Sequence, residues 1–324
     1  MSDLAGLIYL APGLLGPIAP TLADAARSQA KVPTLARLLA RAKRRPLTGT
    51  SAEALIAHLY PQAPAPGALA AAGMGLTDTV QYYRVAPVHL RADRDRLLLF
   101  AGDDVALTAT EAQAVTSAFN AVFSADGMQL DLTGPAGVMS AKAPLGPNLP
   151  ALTDVAGRYL DTVLPGEAAA RPWRQLLNEV QMLLHDHPVN QARAERGALT
   201  VNGLWFWGGG PAIANPSSPP ADVEHALVRG LMAMDQTPGE TNHPANLTVW
   251  EAAANALMAG DIPAWLAALA SFEQTLAPVI DNTARQGAKG VTLLPGNGWA
   301  YTLGHHSHWR FWRRADIARH WAIQ

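Results

Sequence analysis

The run AGLIYLAPG, residues 5–13, limits the fold more than any other stretch. Leu7 to Ala11 are apolar without interruption, and Pro12 and Gly13 then close the run with a turn. A strand with one wet face alternates apolar and polar residues. An unbroken apolar strand belongs at the centre of a sheet covered on both faces, the arrangement of parallel α/β proteins.

The segments that follow suit such a sheet. VPTLARLLARAKRRP carries Leu35, Leu38 and Leu39 at helical spacing with basic residues behind them, which predicts an amphipathic helix stopped before Pro46. TSAEALIAHLY predicts a second helix capped by Thr50 or Ser51. PQAPAPGALAAAG reads as a boundary. Beyond it, two strands (TVQYYRVAPVHLRA, RLLLFAG), a helix starting near Thr110 and Glu111, and two more strands (MQLDLTG, AGVMSAKA) predict a small α+β unit over residues 66–145. It is inserted in a larger domain made of residues 1–65 and 146–324. In that larger part RPWRQLLNEVQMLLHDH reads as a helix, GLWFWGGG as a buried strand, PAWLAALASFEQTLAPVIDNTA as a long helix and GVTLLPG as a strand. Trp265 and Phe272, seven apart on the long helix, read as core.

Charge narrows the function classes. Only 15% of the 324 residues are charged and the net charge is −2, which speaks against a nucleic-acid binder. With no cysteine there is no disulfide framework, thiolate site or cysteine nucleophile. The first residues lack a basic leader, and no apolar run has the length of a spanning helix, so a cytoplasmic protein without a membrane partner is expected.

The most chemically loaded segment is HDHPVNQARAERGALTVNGLWFWGGG, residues 185–210. Pro188 forces the chain out of the preceding helix and suits the first position of a new one. Residues 187, 190 and 193 then share a face, so His187, Asn190 and Arg193 can converge on one point, where a guanidinium fork can hold a carboxylate or phosphate. The alternative is a helix-end histidine beside an asparagine and an arginine that cap and solvate a loop.

This segment, together with YRVAPVHLRADRDRLLLF, resembles the archaeal-type cofactor-independent phosphoglycerate mutases of the alkaline phosphatase superfamily. It resembles more closely the bacterial RpfE-type regulatory proteins. The resemblance implies an alkaline phosphatase-like three-layer α/β/α sandwich with an inserted smaller α+β domain, two divalent metals, and a serine or threonine nucleophile at a helix start. Thr50 or Ser51 would hold the nucleophile position, and His187, Asn190, Arg193 and Asn202 the substrate, with Trp207 as a wall where the mutases have an arginine.

The metal half departs from the family. Pro12 stands where the first strand should end in an aspartate, NALMAGD has alanine, leucine and methionine at ligand positions, and PGNGWAY offers Asn297 in place of a charged pair. His306 and His308, on one face of a strand, are the residual metal candidates. The reading is therefore a catalytically degenerate relative without a cofactor, binding a small anionic metabolite in a regulatory role, with the tryptophan-rich tail LGHHSHWRFWRR as a surface for a protein partner. The rival is an active metal-dependent mutase or phosphatase.

Overall fold

The computed structural model describes residues 6–77, 81–234, 244–286, 290–304 and 315–322. The chain packs as two units, Met1–Pro61 with Gln236–Gln324, and Gln62–Asp235. It is mixed α/β, with one sheet in each unit.

In the first unit, β1 (Leu7–Leu10) leads into α1 (Pro20–Gln29) and α2 (Pro33–Arg41). Proline opens both helices, where its missing N–H costs nothing. The first backbone N–H groups of α2, those of Thr34 and Leu35, are received by the Glu273 carboxylate at 2.6 and 2.8 Å. The predicted helix ends earlier than Pro46. Lys43–Pro46 is instead the edge strand β2, and α3 (Ala52–Leu59) follows.

The second unit opens with α4 (Pro66–Gly73), a buried helix where the sequence suggested only a boundary. Next come β3 (Gln81–Asp93), β4 (Arg96–Phe100), α5 (Ala109–Phe123), β5 (Met128–Leu132) and β6 (Gly137–Ala141). A reciprocal cap between Thr108 and Glu111 starts α5, at 3.3 and 2.9 Å. Two short helices, α6 (Leu152–Val155) and α7 (Leu160–Val163), precede α8 (Glu167–His185), α9 (Pro188–Glu195), β7 (Gly203–Pro211) and α10 (Ala226–Ala233). Strand order is β4-β3-β6-β5, and β7 pairs antiparallel with β3. That pairing extends the second unit beyond the expected insert of 66–145 to take in 146–235. GLWFWGGG is fully apolar because β7 is the unit's own buried strand, with Leu204, Trp205 and Phe206 wholly inaccessible.

The chain then returns to the first unit through β8 (Leu247–Val249), α11 (Ala252–Ala259), α12 (Ile262–Gln286), β9 (Val291–Leu294) and β10 (Trp299–Leu303). Its sheet runs β2-β10-β9-β1-β8, with β1 parallel to both neighbours and β10 antiparallel to β9 and β2. The unbroken apolar β1 is thus interior to its sheet, with Ile8 and Leu10 buried. Trp265 and Phe272 are buried in the same core, and Tyr9 meets Phe272 edge-on at 5.9 Å.

Candidate functional site

In the second unit, Pro188 does open a new helix and His187 caps it, its Nδ1 accepting the Val189 N–H at 3.3 Å. Burial holds the His187 imidazole below its ordinary pKa. Asn190 and Arg193 point inward and are buried. The Asn190 amide donates to the carbonyls of Leu184 (2.7 Å) and Val201 (2.8 Å) and accepts the Val201 N–H (2.8 Å), tying the end of α8 to the approach to β7. Arg193 donates to the carbonyls of Leu199, Ala106 and Asp104 at 2.6, 3.1 and 3.2 Å. It also donates to the Glu111 carboxylate at 3.1 Å.

Glu111 is the residue that sequence reasoning saw only as part of a helix start. It caps α5 and receives both Arg193 and Arg196. Burial alone would raise its pKa. Hydrogen bonds from Arg196 and the Thr108 N–H, with the charges of Arg193 and Arg196, outweigh that and hold it below the ordinary value. Asn202 acts as a rung of sheet, accepting from Leu90 N–H at 2.7 Å and donating to Leu90 C=O at 2.9 Å. Trp207 is buried with the Arg84 guanidinium 5.1 Å from its ring centre. The internal bonds of Asn190, Arg193 and Asn202 account for these polar side chains, so the donors expected to converge on a ligand hold segments of the second unit together.

In the first unit, a different group gathers where β1 and β9 end. Ala11 N–H donates to Leu294 C=O at 3.0 Å, bringing Pro12 beside the loop that holds Gly296 and Asn297. Gly296 sits against the Thr50 backbone, where a side chain would approach to 2.7 Å. Ser51 is buried and caps α3, its hydroxyl accepting the Ala54 N–H at 3.2 Å. Gly13, at φ 74°, packs on the backbone of Ala253 and Ala254, closing the turn after β1 against α11.

Asn297 donates its amide to the Tyr301 hydroxyl at 3.1 Å and the His320 carbonyl at 2.9 Å. Arg44 faces Tyr301 across the β2–β10 pair. Burial raises the Tyr301 pKa, opposed by Asn297 and by the charge and hydrogen bond of Arg44. Burial, then Arg44, lowers that of His320, with Arg319 adding to the drop and Asp316 working against it. Asn297 Oδ1 and His320 Nδ1 are buried with no hydrogen-bond partner among the described residues.

A divalent ion, or a pair of them, needs several carboxylate or imidazole donors. Among the described residues no group of three such side chains could hold one. Pro12 offers no donor, and the Asn297 amide is turned to Tyr301 and His320. These donors do not fit the metals that the resemblance implies. His306 and His308, like most of the LGHHSHWRFWRR tail, lie outside the described residues. Beyond that tail, Trp321 is core, meeting Trp265 at 5.8 Å. No helix among the described residues is long and apolar enough to cross a membrane.

A mixed α/β protein with two sheets is the class defined by this arrangement. No family model matches the chain. It is 33% identical over 63 residues to the 2,3-bisphosphoglycerate-independent phosphoglycerate mutase of Methanothrix thermoacetophila, covering 19% of this chain and 16% of that protein. It is 34% identical over 59 residues to a probable mutase of the same kind from Geobacter sulfurreducens, covering 18% and 15%. The matches thus span only a small part of these curated relatives. Among solved structures, the chain is similar to the cofactor-independent phosphoglycerate mutase of Thermoplasma acidophilum, with 15% identity and a TM-score of 0.35 over 93% of this chain and 90% of that one. It is also similar to the PH0037 protein of Pyrococcus horikoshii, at 12% identity and a TM-score of 0.45 over 93% and 88%.

Proposed function

We propose that this chain is a phosphoglycerate mutase-like protein of the alkaline phosphatase superfamily whose metal centre has given way to a neutral hydrogen-bonding site. In this reading it binds a small anionic metabolite in a regulatory role, as the likeness to RpfE-type proteins implies. The observation that carries the proposal is the Asn297 amide, bonded to Tyr301 and the His320 carbonyl at a strand end where a metal enzyme needs charge. Pro12 at the neighbouring strand end and the packing of Gly13 on Ala253 and Ala254 support it. So does the capping bond of Ser51, which gives a structural reason for a hydroxyl at that position.

The exposed Arg44, whose charge is felt at Tyr301 and His320, supplies an anion contact at the same end of the sheet. The reading is tested with 3-phosphoglycerate as probe. Saturating ligand should raise the melting temperature, by about 2.7 kcal/mol of stability at a hundredfold excess over Kd. Arg44→Ala should lose that shift, and no turnover should occur with manganese present. Mutase or phosphatase turnover that disappears in Thr50→Ala or Ser51→Ala would establish the active-enzyme reading instead.

A further inference from the structure

The second unit holds a cavity of about 390 Å³ that none of the chemistry above uses. Tyr82 on β3, Ser140 on β6 and Gln129 on β5 lie opposite one another in register, and the next rung places Val138 opposite Asp131. Side chains two apart on a strand share a face, so these residues form one wall. Leu76, in the loop after α4, adds an apolar contact.

From α5 come Thr116 and Asn120, both clamped to the edge strand. Thr116 Oγ1 accepts the Leu132 N–H at 3.2 Å. The Asn120 amide accepts the Leu130 N–H at 2.7 Å and donates to its carbonyl at 3.0 Å. Those bonds fix the two side chains and still leave the Thr116 hydroxyl proton and one Asn120 N–H to offer. The Ser140 hydroxyl donates to the Gln129 carbonyl at 3.4 Å and keeps its acceptor capacity.

Three lining groups have no hydrogen-bond partner among the described residues: the Tyr82 hydroxyl, the Asp131 carboxylate and the Gln129 side-chain amide. Tyr82 is 3% exposed as a residue, and its hydroxyl opens onto the cavity rather than being sealed in the core. Asp131 is the only charge in the described lining. The arginine on the same rung, Arg84, does not line the cavity and stands over Trp207.

A wall with hydroxyls, amides, one carboxylate and no cation among its described residues selects against anions. It matches a ligand with several hydroxyl groups and a positive charge, and the volume falls in the range of about 300 to 1,000 Å³ usual for small-molecule sites. We propose that this cavity binds a small polyhydroxylated amine of the amino-sugar class, its ammonium on Asp131 and its hydroxyls on Tyr82, Thr116 and Ser140. The described lining belongs to the second unit alone, and the proposal uses none of the residues of the strand-end site, so it stands or falls independently of the function proposed above.

Calorimetric titration of the full chain with glucosamine, at a pH that keeps the amine protonated, tests the assignment. Saturable one-to-one binding is expected. Glucose, lacking the charge, should bind about tenfold more weakly, equivalent to ~1.4 kcal/mol, and the acidic sugar glucuronate should give no heat. Asp131→Asn should bring glucosamine down to the affinity of glucose, and Tyr82→Phe should weaken both. The preference of the unaltered chain needs no variant, and unchanged melting of the unliganded Asp131→Asn protein confirms its fold. Absence of saturable glucosamine binding, or equal affinity for glucosamine and glucose in the unaltered chain, would overturn the proposal.

Discussion

A guanidinium as buried as Arg193, 3% exposed, must find acceptors for its N–H groups inside the protein, and it does so on three carbonyls and Glu111. The same residue type would serve an anion-binding cleft, which is why spacing alone left both readings open. Removing it takes one of two cations from the buried Glu111 and a donor from each of three carbonyls, so Arg193→Met should cost about 3 to 5 kcal/mol in denaturant unfolding.

Glu111 also sets an acid limit. Its folded pKa is lowered, so its contribution is present above the ordinary value of 4.5 and is lost as the pH falls through the folded value. Unfolding measured across that acid range should be steeper in the unaltered protein than in Glu111→Gln. His320 works nearer neutrality. Burial lowers its pKa, so its contribution is complete above 6.5 and declines as the pH drops toward the folded value, because the unfolded chain takes up the proton first. His320→Gln should flatten that part of the profile.

Elements were legible where the hydrophobic period was strong. The apolar β1, the leucine stripe of α2, the β3–β4 hairpin and the capped α5 stand where their sequences place them. What failed was short or needed a distant partner. KRRP reads as the basic end of a helix, yet as β2 it pairs with β10, more than 250 residues later in the chain. GALAAAG has no amphipathic signal because its small residues face packing on several sides: α4 lies so close to β3 and α10 that a side chain at Gly67, Gly73 or Gly230 would overlap a backbone carbonyl. Gly230→Ala should therefore destabilise the protein by about 1 to 3 kcal/mol by overpacking, despite alanine's better helix propensity, as thermal unfolding will show.

At the scale of the molecule, the boundary near Pro61 was visible in composition, whereas the far boundary was not. Residues 146–235 continue the helix and strand alternation of a larger domain, and only the β7–β3 pairing assigns them to the second unit. Because that unit is one continuous segment with its own sheet and buried aromatics, residues 62–235 expressed alone should unfold cooperatively, as seen by circular dichroism. Of the candidate site, Pro12 and Asn297 are readable in the sequence, but the hydrogen bonds that turn Asn297 toward Tyr301 and His320 are tertiary facts. The direct test of the central claim is the metal content of the protein after manganese loading and exhaustive dialysis. The neutral strand-end site predicts only a substoichiometric trace. Retention of about one or two ions per chain, as in one- and two-metal phosphotransfer sites, would contradict it.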